Sequence, residues 1–128
     1  MITATPDNLQ TGTLTNFAGV PSGSEARILT QLAANNGGQD ILFIARDDLI
    51  MARTAAALAF FAPDIVCLEF PAWDCLPYDR VSPRGGIIAR RLHCLGQLAE
   101  SRPQAGRIVL TTISGALQRI PAPSLLAD

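Results

Sequence analysis

The stretch of this chain whose spacing comes closest to phosphate chemistry is Gly19-Val20-Pro21-Ser22-Gly23-Ser24-Glu25-Ala26. It lies between a short apolar stretch and a helix-forming one, where a phosphate loop would lie. A working loop of that kind reads G-x-x-x-x-G-K-[ST]: backbone amides cradle the phosphates, the Lys reaches the β and γ groups, and the hydroxyl holds magnesium. Set on Gly19, this chain has Ser24 for the second Gly, Glu25 for the Lys and Ala26 for the hydroxyl. A carboxylate in the cation's place repels a phosphate by about 1–4 kcal/mol at close range. The loop is therefore degenerate, and no nucleotide, metal or other cofactor is expected. An ordinary capped helix start predicts the same.

Other constellations are weaker. All ten basic residues are Arg, so no phosphate-loop, Schiff-base or general-base lysine exists. His93 and Cys94 are neighbours, but on a helix adjacent side chains point about 100° apart and do not serve each other. Cys67, Cys75 and Cys94 form no C-x-x-C pair, and Cys67 and Cys94 read as buried reduced thiols. Asp74 and Asp79 flank Leu76-Pro77-Tyr78 without a third ligand, and read as turn caps or partners of Arg80, Arg84 or Arg90. Arg84, Arg90 and Arg91 could form a basic patch at a helix start, although a solvated face with local ion pairs is commoner. No catalytic residue is assigned. A net charge of −1 argues against a dedicated nucleic-acid surface.

These residues need a frame, and 128 residues suffice for one domain with a core. Residues 1–13 read as a loose terminus, and Leu14–Ala18 as a short edge strand. Ser24 is placed to cap a helix with Ile28, Leu29, Leu32 and Ala33 on one side, closed by Gly37-Gly38. Ile41–Ala45 is a continuous apolar run, as in a strand covered on both faces. Asp47 can cap a second helix carrying Ile50, Thr54, Ala57 and Phe61 and stopped by Pro63. A second strand, Ile65–Leu68, ends in Glu69. A third helix follows Pro83 with Ile88, Leu92, Leu95 and Ala99 on one face and Arg90 and Arg91 elsewhere. Ile108–Thr112 is a third strand, and Thr112 or Ser114 can cap a short helix through Ile120. Residues 122–128 read as a tail. Alternating helices and apolar strands give an α/β fold with a small parallel sheet. No apolar run approaches a membrane span and no signal peptide opens the chain, so a cytoplasmic location without membrane contact is expected.

Between the second strand and third helix runs Phe70–Pro83. Pro71, Pro77 and Pro83 are spaced six apart and force an extended crossing that carries the chain's one Trp, Trp73, and one Tyr, Tyr78. The run Trp73-Asp74-Cys75-Leu76-Pro77-Tyr78-Asp79, then Ser82-Pro83 and Ile87-Ile88-Ala89-Arg90-Arg91-Leu92, resembles the N-terminal module of bacterial transcription-repair coupling factors. Val109-Leu110-Thr111-Thr112 and Leu117-Gln118-Arg119 extend the likeness.

That resemblance implies a degenerate RecA-like (P-loop NTPase-like) half domain over residues 14–121, similar to the first segment of UvrB and without a working nucleotide site. It implies a non-catalytic scaffold that packs against other domains of its parent. Contacts with UvrA and RNA polymerase would be made through domains beyond this chain, as would the ATP-dependent motor. The expected partner surface is Trp73, Asp74, Leu76, Pro77, Tyr78, Asp79, Ser82, Arg90 and Arg91. UvrB threads DNA with a long aromatic hairpin; the short crossing here implies no strong nucleic-acid grip. Two other readings stay open: a small nucleotide-binding ATPase or GTPase, and a Rossmann-like ligand module with a pocket near Arg46, Glu69 and Thr112.

Overall fold

A computed structural model describes residues 12–76, 78 and 80–125. The element order is α1 (Glu25–Asn35), β1 (Ile41–Ala45), α2 (Asp48–Phe61), β2 (Val66–Phe70), α3 (Gly85–Ala99), β3 (Arg107–Thr112) and α4 (Ile113–Leu117), with a 3-10 turn at Pro123–Leu125. The three strands form one parallel sheet in the order β1-β3-β2. The expected α/β class and parallel sheet are borne out.

The chain passes from β1 over the β3 position to β2, then turns back to β3. Crossovers of one hand running in opposite directions place their helices on opposite faces. The core divides accordingly. On one face α1 and α2 supply Leu29, Ala33, Met51 and Leu58 against Ile108 and Leu110. On the other, Cys94 and Leu95 of α3 meet Leu68, Phe70 and Val109. All six residues of β3 are buried.

Several sequence expectations need correction. The expected edge strand Leu14–Ala18 does not form, and Leu14 is fully exposed; a strand needs a neighbouring strand to receive its ladder bonds. β1 is covered on one face only. Ile41, Phe43 and Ala45 pack inward, but Leu42 and Ile44 are exposed because α3 lies over β2. In α2 the buried side is Met51, Thr54 and Leu58; Ile50 and Ala57 flank it, while Phe61 is exposed. In α3 the buried residues are Arg91, Cys94 and Leu95, with Leu92 and Ala99 outside.

The caps follow local chemistry. Asp47 Oδ1 accepts from the Ile50 N–H at 2.9 Å, as expected of a helix-start aspartate. Thr112 Oγ1 accepts from the Gly115 N–H at 3.2 Å and starts α4. Ser24 occupies the N-cap position of α1 but makes no side-chain cap.

Two glycine turns abut at the foot of the sheet. Gly106 has φ +73°, and a Cβ there would lie 2.5 Å from the Gln39 carbonyl oxygen and 2.9 Å from that of Gly38. Left-handed backbone disfavours side chains by about 1–2 kcal/mol, and the clash adds to it. Gly106→Ala is expected to lower unfolding free energy by more than ~2 kcal/mol in urea titration. Gly96→Ala, in open space inside α3, is expected to raise it by up to ~1 kcal/mol.

Candidate functional site

The Phe70–Pro83 crossing is built around Arg91. This residue is 2% exposed, the most deeply buried charged side chain among the described residues. Its guanidinium lies over the Phe70 ring at 4.0 Å and the Trp73 ring at 4.3 Å. Nη1 donates to the Pro71 carbonyl at 2.7 Å and to Gln118 Oε1 at 3.2 Å. Gln118 Oε1 also accepts from the backbone N–H of Trp73 at 2.8 Å. One α3 side chain and one residue after α4 thus hold three consecutive parts of the crossing. Burial pulls the Arg91 pKa down, but guanidinium stays protonated in proteins. Among the described residues no carboxylate pairs with it; ring faces and neutral acceptors satisfy the charge.

The expected basic patch therefore does not assemble. Arg91 is inside, Arg90 pairs with Glu69 at 3.3 Å, and Arg84 pairs with Asp74 at 3.3 Å. Asp74 Oδ1 also accepts from the Arg84 N–H at 3.3 Å, tying the crossing to the start of α3. Asp74 is thus a tether paired with Arg84, one of the partners the sequence offered it. Pro77 and Asp79 lie outside the described residues.

Beyond Trp73 the crossing opens outward. Leu76 is 70% exposed and Val81 71%, and Tyr78 is almost wholly exposed. With Trp73, Cys75, Ser82, Pro83, Gln118 and Arg119, Leu76 and Val81 line a groove of about 700 Å³. Of the expected surface residues, Trp73, Leu76 and Ser82 line this groove, Asp74 and Arg90 line a separate cavity, and Arg91 is buried. Gln118, whose amide organises the floor, was visible in the sequence only as part of Leu117-Gln118-Arg119. Nothing local signals that it reaches the crossing.

The turn before α1 is separate. Gly19 and Gly23 have φ of +71° and +92°. The Gly23 N–H donates to Glu25 Oε2 at 2.8 Å. The carboxylate thus occupies an amide donor of the kind a bound phosphate would use. A cavity of about 250 Å³ beside it is lined by Ser22, Gly23, Glu25, Ile50, Arg53 and Thr54.

At the C-terminal ends of the strands, the three residues of the Rossmann-like reading have local partners. Arg46 pairs with Asp47, Glu69 with Arg90, and Thr112 caps α4. Burial pushes both the Cys67 and Cys94 thiols up to about 11, so they stay protonated and serve as packing groups. No group of three or more His, Cys, Asp or Glu side chains among the described residues could hold a metal, and no helix among them is long and apolar enough to cross a membrane.

Sequence comparison finds the same likeness that the crossing suggests. A transcription-repair-coupling factor of Haemophilus influenzae is 31% identical over 104 residues, 81% of this chain. Those of Rickettsia bellii and Rickettsia prowazekii are 25% identical over 92 residues and 30% over 87, or 72% and 67% of the chain. This chain is a relative of the transcription-repair-coupling factors. It spans only 8–9% of the length of these relatives. No family model and no solved structure matches it. As a transcription-repair-coupling factor segment, its crossing and its pre-α1 turn are the two places where function is to be sought.

Proposed function

We propose that this chain is a non-catalytic scaffold segment of a transcription-repair coupling factor, a degenerate RecA-like half domain on which other parts of the parent mount. In the parent it would support recruitment of excision repair to stalled RNA polymerase in the cytoplasm. UvrA, polymerase and the DNA motor would be engaged by domains outside these residues. The observation that carries the reading is the Gly23 N–H to Glu25 carboxylate bond. The acid fills a donor site and brings negative charge where a triphosphate needs positive charge.

Equilibrium dialysis with labelled ATP and magnesium tests it. No saturable binding is expected up to millimolar nucleotide. Micromolar binding by the natural chain, lost in Arg53→Ala beside the turn, would establish the ATPase or GTPase reading instead. Mounting is tested separately. Leu76→Ser and Val81→Ser alter exposed side chains, so the melting temperature should hold within a few degrees. Repair coupling by the parent should fall, and unchanged coupling would remove this surface from the proposal.

A further inference from the structure

We propose that the groove beside Trp73 is a seat for an extended acidic segment of the parent polypeptide, one that alternates apolar side chains with carboxylates. This rests on the scaffold reading and names what one of its surfaces holds.

The groove combines apolar side chains with two donors. Trp73, Leu76, Val81 and Pro83 supply the apolar wall, and Leu76 and Val81 remain largely uncovered. Cys75, Ser82, Gln118 and Arg119 complete the lining, with Gln118 against Trp73. Gln118 Oε1 is committed to two donors, the Trp73 N–H and Arg91 Nη1. Those bonds fix which way the amide faces, and its NH2 is what the side chain has to offer a ligand. Arg119 is exposed and pairs with no carboxylate among the described residues. Among the described residues no acidic side chain lines the groove, and nearby Asp74 is held by Arg84. A cation and an amide donor above an apolar wall complement backbone carbonyls, carboxylates and alternate apolar side chains.

The wall is rigid where it matters. The Trp73 backbone N–H is held by Gln118 and its ring by stacking on Arg91, so binding need not first order it. The source follows from length. The relatives are more than ten times longer than the stretch they share with this chain. A segment of the same polypeptide binds at a raised effective concentration, so a weak groove suffices.

Trp73 is the single tryptophan, and its emission reports occupancy directly. A capped hexapeptide alternating leucine and aspartate, titrated into the 128-residue chain, should shift that emission with submillimolar affinity. A leucine–arginine hexapeptide should bind at least about tenfold more weakly. Arg119→Glu should abolish or reverse the preference. Equal response to both peptides, or a preference untouched by Arg119→Glu, would overturn the inference. In the full-length parent, a photo-crosslinking residue in place of Leu76 should capture an acidic segment of the same chain; capture of a separate protein, or of nothing, would overturn the source. Nucleotide binding reads out independently. A chain that bound ATP yet still chose the acidic peptide would sink the scaffold reading and leave the groove standing.

Discussion

Arg91→Ala is expected to destabilise the chain by about 3 kcal/mol in urea unfolding, and to shift Trp73 emission to the red in the folded state. The magnitude comes from three losses. The buried stem leaves a cavity among Phe70, Cys94 and Trp73, as deletion of a long buried side chain does. Two desolvated cation–π contacts disappear, each worth about 1–2 kcal/mol. The Pro71 carbonyl loses its 2.7 Å donor, at about 1 kcal/mol or more when nothing replaces it. Relief of the charge's desolvation offsets part of this, which brings the total back to about 3 kcal/mol. Arg91→Lys should recover less than half, because an ammonium is a compact, strongly hydrated point charge and cannot lie flat between two rings. A loss below ~1 kcal/mol for the alanine variant would mean that the crossing is held by something else.

The same residue shows where sequence pattern stops being informative. Helical spacing in α3 places Ile88, Leu92, Leu95 and Ala99 on one stripe, and an arginine is expected outside it. The structure turns the helix so that Arg91 faces in and Leu92 faces out. What decides is the pair of rings, Phe70 at the end of β2 and Trp73 beyond it, and two acceptors, the Pro71 carbonyl and Gln118 after α4, none of which belongs to α3. α2 fails for the opposite reason. Leu49, Ala52, Ala56, Ala59 and Phe60 make it apolar all round, so no stripe stands out and only the tertiary partners select Met51, Thr54 and Leu58. Likewise Ile41–Ala45 reads as a two-sided strand, yet edge position leaves Leu42 and Ile44 exposed. Local chemistry was the legible part. Asp47 and Thr112 cap where their side chains stand beside free amides, and the Gly37-Gly38 pair, both at positive φ, follows the end of α1.

For the site, the proline-spaced crossing and its Trp73, Leu76 and Ser82 could be read directly, since each proline lacks an N–H for a helix and pushes the residue before it toward extended backbone. Glu25 was legible as a misfit in a phosphate loop, but its bond to the Gly23 amide was not. The partnership of Gln118 with Trp73 and Arg91 spans 45 and 27 residues of sequence, and pairings at that range leave no periodic trace.

Asp40→Asn is expected to lower the neutral-pH stability by about 2 kcal/mol and to flatten its acid limb. Asp40 stands just before β1 and holds Arg107, the first residue of the central strand. Oδ2 meets Arg107 Nη2 at 2.9 Å, and Oδ1 accepts from the Arg107 backbone N–H at 2.9 Å and from Nε at 3.3 Å. Arg107 also donates to the Gln97 carbonyl of α3, so one guanidinium joins β1, β3 and α3. Arg107 is 6% exposed and the Asp40 side chain 31%. Breaking a fully buried pair costs about 3–5 kcal/mol, and solvent at Asp40 reduces that toward 2. Arg107's side-chain hydrogen bonds hold the Asp40 carboxyl below the ordinary carboxylate range; partial burial opposes them and the guanidinium charge assists. A depressed folded pKa means that the unfolded chain takes up the proton first. The contribution is therefore complete above the unfolded value of about 3.9, and is lost as pH falls through the lower folded value. Asp47 is depressed too, by its capping bond to Ile50, so the wild-type acid limb mixes both. Subtracting the Asp40→Asn curve from the wild-type curve removes Asp47. That difference should be flat from pH 8 to 5 and shrink below 4. A difference that stayed constant down to pH 2 would show that the carboxylate's charge is not what secures Arg107, leaving neutral hydrogen bonding as the cause.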